Sequence, residues 1–324
     1  MVAESPVTAV STERHVAAEY NATLVGRVEV APGLVIMRVA PDRLPYNFEP
    51  GQYALLGLKA TEPTIEEADG DGAGLVAQDP SAGTPESRSA VESQAKATVL
   101  ATADPDRMIR RAFCVASESR ADEFLEFYLT VILSGQLTPR LFNLKVGDRL
   151  WVGPKAEGYF TLDKGSRKHV LMIATGTGLA PYMAMIRNEL GLRVAGRVGP
   201  RAVWQCNGPR HFVVAHGARY SWDLGYRTEL MGLARHCTNF HYLPVITRPA
   251  EDATWRGRSG HLQDVIGSGA IEKETGLDIT PDNFEVFLSG NPGMIDTVID
   301  WAEARGFSRG KGSATGTLHV EKYW

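Results

Sequence analysis

Four consecutive residues, Arg111-Ala112-Phe113-Cys114, place a permanent cation, a flat ring and a thiol in one short strand-like stretch. A guanidinium can hold a phosphate through two parallel hydrogen bonds. Side chains two apart on a strand share a face, so Arg111 and Phe113 point the same way and Phe113 can stack on a planar ligand. The same residues equally suit a surface cation beside a core aromatic, with Cys114 as a small core residue. A second stretch, His169 to Leu190, offers other chemistry. Its apolar run Val170 to Ala174 is long enough for one buried strand. Thr175-Gly176-Thr177-Gly178 breaks the run, Pro181 suits a first helical turn, and Met183, Ile186 and Leu190 recur at helical spacing. A strand, a glycine turn and a helix N-terminus together make an anion site, because free N–H groups and the helix dipole favour phosphate and glycine lets the backbone approach it. Many such turns hold no ligand, so this motif alone leaves dinucleotide binding open.

Two kinds of scaffold carry these groups. LVGRVEV, Ala31-Pro32-Gly33 and LVIMRVA read as strand, turn, strand. Further strands are expected at Tyr53 to Leu58, Arg110 to Ser117, Leu125 to Ile132 and Asp148 to Val152, with an N-cap at Thr138 and a short helix begun by Pro139. Many short strands with closely spaced turns suggest an antiparallel barrel. After residue 168 strands and helices alternate: 170–174 with 181–190, 212–216 with 228–236, 240–245 with 262–266, and 284–289 with 292–305. That rhythm implies a parallel sheet covered on both faces. The boundary is placed between residues 165 and 166, giving units 1–165 and 166–324. Residues 60–107 are rich in Glu, Asp, Ala, Gly, Ser and Pro and lack aromatics, which suggests an acidic, mobile insertion. Residues 191–211 look like a second insertion.

With 44% apolar and 22% charged residues among 324, the chain reads as an ordinary globular protein of about two domains. A net charge of −4 and the lack of a basic run argue against nucleic acid. No apolar stretch approaches the roughly 20 residues of a membrane span. The start of the chain lacks the apolar core of a secretory signal. Three cysteines, Cys114, Cys206 and Cys237, with no CxxC spacing argue against a disulfide framework and against a metal or iron–sulfur site. A reducing cytoplasm is therefore expected. The histidines are scattered without HExxH, and His216 and His241 are read as structural. Neither Ser134 nor Ser289 sits in a Gly-x-Ser-x-Gly nucleophile elbow.

The stretch RAFCVASES, 111–119, resembles the Arg-x-aromatic-Ser/Thr flavin motif of the ferredoxin–NADP reductase family. Further similarity follows in order along the chain: FEPGQY (48–53), LEFYLTVILSGQLTPRL (125–141), IATGTGLAPYMAMIR (173–187), HGARY (216–220), ITR (246–248), LSGNPGMI (288–295) and VEKYW (320–324). The terminal Trp324 resembles the bacterial flavodoxin/ferredoxin reductases in particular. The resemblance implies an antiparallel six-stranded FAD-binding β-barrel followed by a parallel-sheet α/β domain that binds NADP(H). It implies FAD contacts at Arg111, Ala112, Phe113, Cys114, Tyr128, Gln136, Leu137, Thr138, Thr175, Tyr323 and Trp324. NADP contacts are implied at Thr175, Gly176, Thr177, Gly178, Ala218, Arg219, Thr247, Arg248, Gly290, Asn291 and Pro292. Arg219 and Arg248 fall just past the predicted ends of strands, where ligands of parallel sheets bind; as isolated residues they suit ordinary solvated charge. Where relatives carry a Gly-Arg pair, this chain has Gly260-His261, and Arg256 or Arg258 is the expected substitute. Cys114, Ser289, Glu321 and Tyr323 resemble the residues along the hydride path. Cys114 replaces the usual Ser or Thr, and a thiol is the weaker donor.

The implied activity is electron transfer between NADPH and a one-electron carrier, ferredoxin or flavodoxin, by a cytoplasmic monomer. A flavin suits the task because it joins two-electron to one-electron chemistry. Two other readings stay open. One is a dedicated reductase for an oxygenase or flavin-reducing system. The other is a non-catalytic, redox-responsive FAD- and NADP-binding module.

Overall fold

The computed structural model describes residues 20–65, 107–119, 123–166, 168–190, 192–194, 202–204, 206, 208–310 and 316–322. Most of the expected acidic insertion, together with Tyr323 and Trp324, lies outside the described residues. Strands β1 (Ala22–Ala31) and β2 (Leu34–Pro41) form a hairpin whose turn needs Gly33 at φ 74°. With β3 (Tyr53–Lys59), β4 (Met108–Cys114), β5 (Leu125–Thr130) and β6 (Arg149–Val152) they make a six-stranded antiparallel sheet in the order β4-β3-β6-β1-β2-β5. Its two edges then meet. Val115 bridges Phe127, and the Ala116 N–H donates to the Glu126 carbonyl at 2.7 Å, so the sheet closes as a barrel.

Strand β5 shows why the pattern folds this way. Leu125, Phe127 and Leu129 pack into the barrel core with Leu24, Met37 and Leu56, each buried side chain of this size contributing about 1.5–3 kcal/mol. The alternate residues Glu126, Tyr128 and Thr130 face the other way. Helix α1 (Thr138–Asn143) follows. Its N-cap is Leu137 rather than the expected Thr138. The Thr138 hydroxyl instead accepts from the Ile132 N–H at 3.0 Å and donates to the Ile132 carbonyl at 3.2 Å, pinning the loop 132–138.

The second unit is built on β7 (His169–Thr175), which runs through a 3₁₀ turn at Gly176–Leu179 into α2 (Ala180–Leu190). There follow a small hairpin β8 (Leu192–Val194) with β9 (Ala202–Trp204), then β10 (Phe212–Ala218), α3 (Arg227–His236), β11 (Phe240–Ile246) and β12 (Arg258–Ser259). Helices α4 (Leu262–Gly267) and α5 (Ala270–Thr275), strand β13 (Phe284–Gly290), helix α6 (Pro292–Glu303) and strand β14 (Leu318–Lys322) complete the chain order. The sheet order is β12-β11-β10-β7-β13-β14, with every pair parallel. Strand order reverses on either side of β7, and ligands of such sheets bind at this point, beyond the carboxyl ends of the strands.

Three cysteines suggested no disulfide. The structure pairs Cys206 with Cys237 in one, at a Cα separation of 5.0 Å. The two lie 31 residues apart, Cys206 before β10 and Cys237 at the C-cap of α3. Among the described residues, no helix is long and apolar enough to cross a membrane. Nor does any group of three or more His, Cys, Asp or Glu there form a metal site.

Candidate active site

Two clefts meet where the barrel abuts the parallel sheet. The smaller, about 240 Å³, is lined by Arg111, Ala112, Phe113 and Cys114 of β4, Tyr128, Leu129 and Thr130 of β5, the loop Gly135 to Thr138, and Thr177 and Ala180. The larger, about 580 Å³, lies over the carboxyl ends of the parallel strands. It is lined by Gly33, Leu34 and Thr130 from the barrel, and by Thr175, Gly176, Thr177, Ala218, Arg219, Asp223, Thr247, Arg248, His261 and Asn291 among others. Thr130 and Thr177 border both clefts.

Several sequence-predicted residues owe their place to backbone constraints. Gly290 sits at φ 121°, and a Cβ there would lie 2.3 Å from the Thr175 Oγ1. That hydroxyl accepts from the Asn291 N–H at 2.8 Å, tying the end of β7 to the start of α6. Asn291 also caps α6, accepting from the Met294 N–H at 3.1 Å, and Pro292 follows in its first turn. Gly178 was expected to admit a phosphate. A Cβ there would instead meet the Ser289 carbonyl oxygen at 2.6 Å, so the glycine serves the packing of the 3₁₀ turn on β13. Thr175 was expected on the flavin side; it lines only the larger cleft, and Thr177 is the threonine that reaches both.

At the inner end of the smaller cleft, the buried Cys114 thiol donates to Glu321 Oε2 at 3.4 Å. Glu321 is delivered by β14, whose register sets it opposite Ser289 on β13. Ser289 is fully buried, and its hydroxyl has no hydrogen-bond partner among the described residues. The structure thus gathers Cys114, Ser289 and Glu321 at the seam. Tyr323 and Trp324, expected beside them, lie outside the described residues. On the far side of the larger cleft, Arg219 lies 3.6 Å from Asp223, and Arg248 donates to the Tyr220 hydroxyl at 3.0 Å. Burial raises the Asp223 carboxyl above its ordinary range despite the neighbouring Arg219. Arg258 does not line the cleft: it pairs with Glu274. Arg256 donates to the carbonyls of Ala253 and Trp255. His261 occupies the position expected for those arginines.

The two units are fastened by a buried ion cluster that sequence reasoning missed. Glu126 of β5 accepts from Arg187 of α2 at 2.7 Å, from Arg38 of β2 at 2.8 Å and from the Tyr226 hydroxyl at 2.9 Å. Arg187 also forks onto Glu229 at 2.8 and 2.7 Å and donates to the Ala116 carbonyl. Burial pushes the Glu126 carboxyl up, but the Arg187 charge and these bonds outweigh it and hold the group below its ordinary value. The only signal was the alternation of β5, which puts a carboxylate on the face opposite the core. Two residues on, the Tyr128 hydroxyl donates to the Asp223 carbonyl and accepts from the Gly225 N–H, both at 3.1 Å. Tyr128 therefore walls the smaller cleft while holding the loop that carries Asp223. His216 is fully buried on β10 beside the Tyr242 hydroxyl, and burial pushes its imidazole down to about 4, so it stays neutral as a core residue.

Residues 172–300 match the family described as the oxidoreductase NAD-binding domain. A flavodoxin/ferredoxin–NADP reductase of Escherichia coli (strain K12) is 31% identical over 224 residues, spanning 68% of this chain and 83% of the relative. The chain belongs to the flavodoxin/ferredoxin–NADP reductase family. A ferredoxin–NADP reductase of Azotobacter vinelandii is 31% identical over 201 residues, spanning 59% of this chain and 70% of that one. Among solved structures, a ferredoxin NADP+ reductase of Neisseria gonorrhoeae with bound FAD and NADP superposes with a TM-score of 0.65 at 19% identity, covering 94% of this chain and 98% of that one. In this family member the two clefts have unequal polar equipment. The smaller has a ring, a thiol and a cation on one barrel strand. The larger has its cations on loops that follow the parallel strands.

Proposed function

We propose that the chain is an FAD-dependent reductase that transfers electrons between NADPH and ferredoxin or flavodoxin, working as a cytoplasmic monomer. In this reading residues 1–165 form the FAD unit and 166–324 the NADP unit. The observation that carries it is the common border of the two clefts at Thr130 and Thr177, with the Cys114–Glu321 pair and the orphaned Ser289 hydroxyl at their junction. Reacting groups brought together there would meet the buried Cys114 thiol and the buried Ser289 hydroxyl.

The residues of the smaller cleft fit FAD. Phe113, half-buried against the barrel core, offers a ring face, Leu137 and Ala180 supply apolar walls, and Arg111 stands ready for the diphosphate. When bound, FAD supplies the capacity to take two electrons as hydride and release them singly. The chain's own residues perform the rest. Thr175, Gly176 and Asn291, which line the larger cleft, would hold the pyrophosphate of the nicotinamide cofactor, and Arg219 and Arg248 would hold its 2′-phosphate. Glu321 holds the Cys114 thiol in one orientation and can accept or return a proton at Oε2. The closing of β4 against β5 keeps water from the Cys114 thiol, which is only 5% exposed.

The test is direct. Purified protein is denatured and its supernatant assayed for flavin, and the native protein is then given NADPH with ferredoxin or with flavodoxin. Stoichiometric FAD and reduction of either carrier are expected. Protein that carries no flavin and binds none added would end the proposal.

A further inference from the structure

The Tyr128 ring lines the smaller cleft, but its hydroxyl is spent on the other unit. A buried hydroxyl needs partners, and this one takes both from a single loop: it donates to the Asp223 carbonyl and accepts from the Gly225 N–H, each at 3.1 Å. That loop runs from the end of β10 at Ala218, through a 3₁₀ turn at Ser221–Asp223, to the start of α3 at Arg227. On its sheet side it is tied to the segment after β11. There the Arg248 N–H donates to the Arg219 carbonyl at 3.0 Å, and the Asp252 carboxyl accepts from the Ser221 N–H at 2.9 Å. Arg219 and Asp223 of the same loop line the larger cleft, 3.6 Å apart. One short segment therefore has one edge on the larger cleft and the other on a wall of the smaller one. Tyr226 closes it, packing edge-on against Tyr128 with ring centroids 5.4 Å apart. Its φ of 59° is left-handed, a conformation that persists only where the surroundings hold it.

On the FAD and NADP readings of the two clefts, on which this rests, we propose that Tyr128 is a positioning residue that couples them. A flavin packed against its ring fixes the 219–225 loop, so that FAD and the nucleotide each tighten the binding of the other. The physical step is small. With the smaller cleft filled, the ring has no space to turn into, and its hydroxyl stays on the loop. With the ring free to turn, both bonds to the loop are lost together, and the Gly225 N–H keeps only the Asp223 carbonyl, at 3.0 Å. Gly225 makes the contact specific, because a Cβ there would lie 2.4 Å from the Tyr128 hydroxyl. A loop ordered by one ligand is not ordered a second time by the next, so the saving appears as cooperativity. Linkage makes that cooperativity equal in both directions.

The experiment follows FAD release from the flavin-loaded protein, by recovery of flavin fluorescence on dilution, with and without saturating 2′-phospho-AMP. This probe carries the phosphate end of NADP+ without the nicotinamide, so it cannot touch the flavin ring directly. Wild type, Tyr128→Phe and Gly225→Ala are compared, and the affinity of each loaded protein for 2′-phospho-AMP is measured alongside. Wild type is expected to hold FAD about fivefold more tightly when the probe is bound. Tyr128→Phe keeps the ring that walls the cleft and removes only the hydroxyl, so it should bind both ligands and show no such gain. Gly225→Ala, which pushes the loop off an intact hydroxyl, should lose the gain too. A residue that only stabilised the fold would weaken FAD equally in both conditions and leave the ratio unchanged. An unchanged ratio in Tyr128→Phe, or no gain in a wild type that binds the probe, would overturn the inference and leave the readings of the two clefts standing. If wild type binds neither FAD nor the probe, the functional reading itself fails.

Discussion

Arg187→Met tests whether the buried cluster around Glu126 is what holds the two units in register. The substitution removes the 2.7 Å bond to Glu126, the bond to the Ala116 carbonyl and both bonds to Glu229. Glu126 has a side chain 3% exposed and keeps Arg38, whose own side chain is 46% exposed. Stripping one partner from a buried pair costs about 3–5 kcal/mol, and the surviving Arg38 contact places the expected loss at about 3 kcal/mol. Glu229, 29% exposed, rehydrates and adds little. In urea the midpoint should fall by on the order of 1 M, followed in parallel by tryptophan fluorescence and far-ultraviolet circular dichroism because a two-unit chain need not unfold in one step. Adding Glu126→Gln to Arg187→Met should restore part of the loss, since it removes the uncompensated charge. The pH dependence has a definite sign. The folded Glu126 carboxyl is held below its ordinary value, so its contribution is present above the unfolded carboxylate range and fades as pH falls through the lower folded value. Arg187→Met should flatten that acid limb. A loss under about 1 kcal/mol, or a double variant in which the two costs simply add, would refute the brace.

A hydroxyl donates more strongly than a thiol, so Cys114→Ser should speed NADPH-dependent flavin reduction in stopped flow while Cys114→Ala slows it; equal rates in all three would remove Cys114 from the hydride path. Arg248→Ala should raise the KM for NADPH about tenfold with kcat unchanged, the pattern of lost uniform binding, and leave NADH untouched; a matching rise for NADH would show that Arg248 does not read the 2′-phosphate. Gly290→Ala adds a Cβ 2.3 Å from Thr175 Oγ1 at a φ of 121°, which should cost on the order of 3 kcal/mol in chemical denaturation; wild-type stability would mean that the loop yields.

Much of this architecture was legible because its determinants are local. The runs Val170 to Ala174 and Phe284 to Ser289 are buried on both faces and read as strands without help. The Pro-Gly pairs marked their turns, and the cations past β10 and β11 could be placed from strand ends alone. What stayed hidden depends on distant pairing. Cys206 and Cys237 share no local motif, β12 is two residues long, and β14 is recognisable as a strand only once β13 presents an edge. Arg258 and His261 illustrate the limit most sharply. Three residues apart, either could have faced the cleft, and the tie between Arg258 and Glu274 on α5, a helix absent from the sequence reading, decides between them.

Strand β5 is where these separate facts become one constraint. Its outward face carries Glu126, Tyr128 and Thr130 in succession: the cluster that binds α2, the hydroxyl that holds the 223–225 loop, and the threonine that borders both clefts. Its partner strand matches them, with Arg38 opposite Glu126 and Leu34 opposite Thr130. Because the side-chain period of a strand is two, a slip of one residue would turn all three inward together and expose Phe127 and Leu129. The core therefore enforces the register of the active face. Gly225 enforces it from the other side, since a Cβ there would sit 2.4 Å from the Tyr128 hydroxyl. The distance between the cations of the larger cleft and the ring of the smaller one is thus set by packing on β5, and substitutions at Tyr128 or Gly225 should alter cofactor alignment without touching any charge that holds a phosphate.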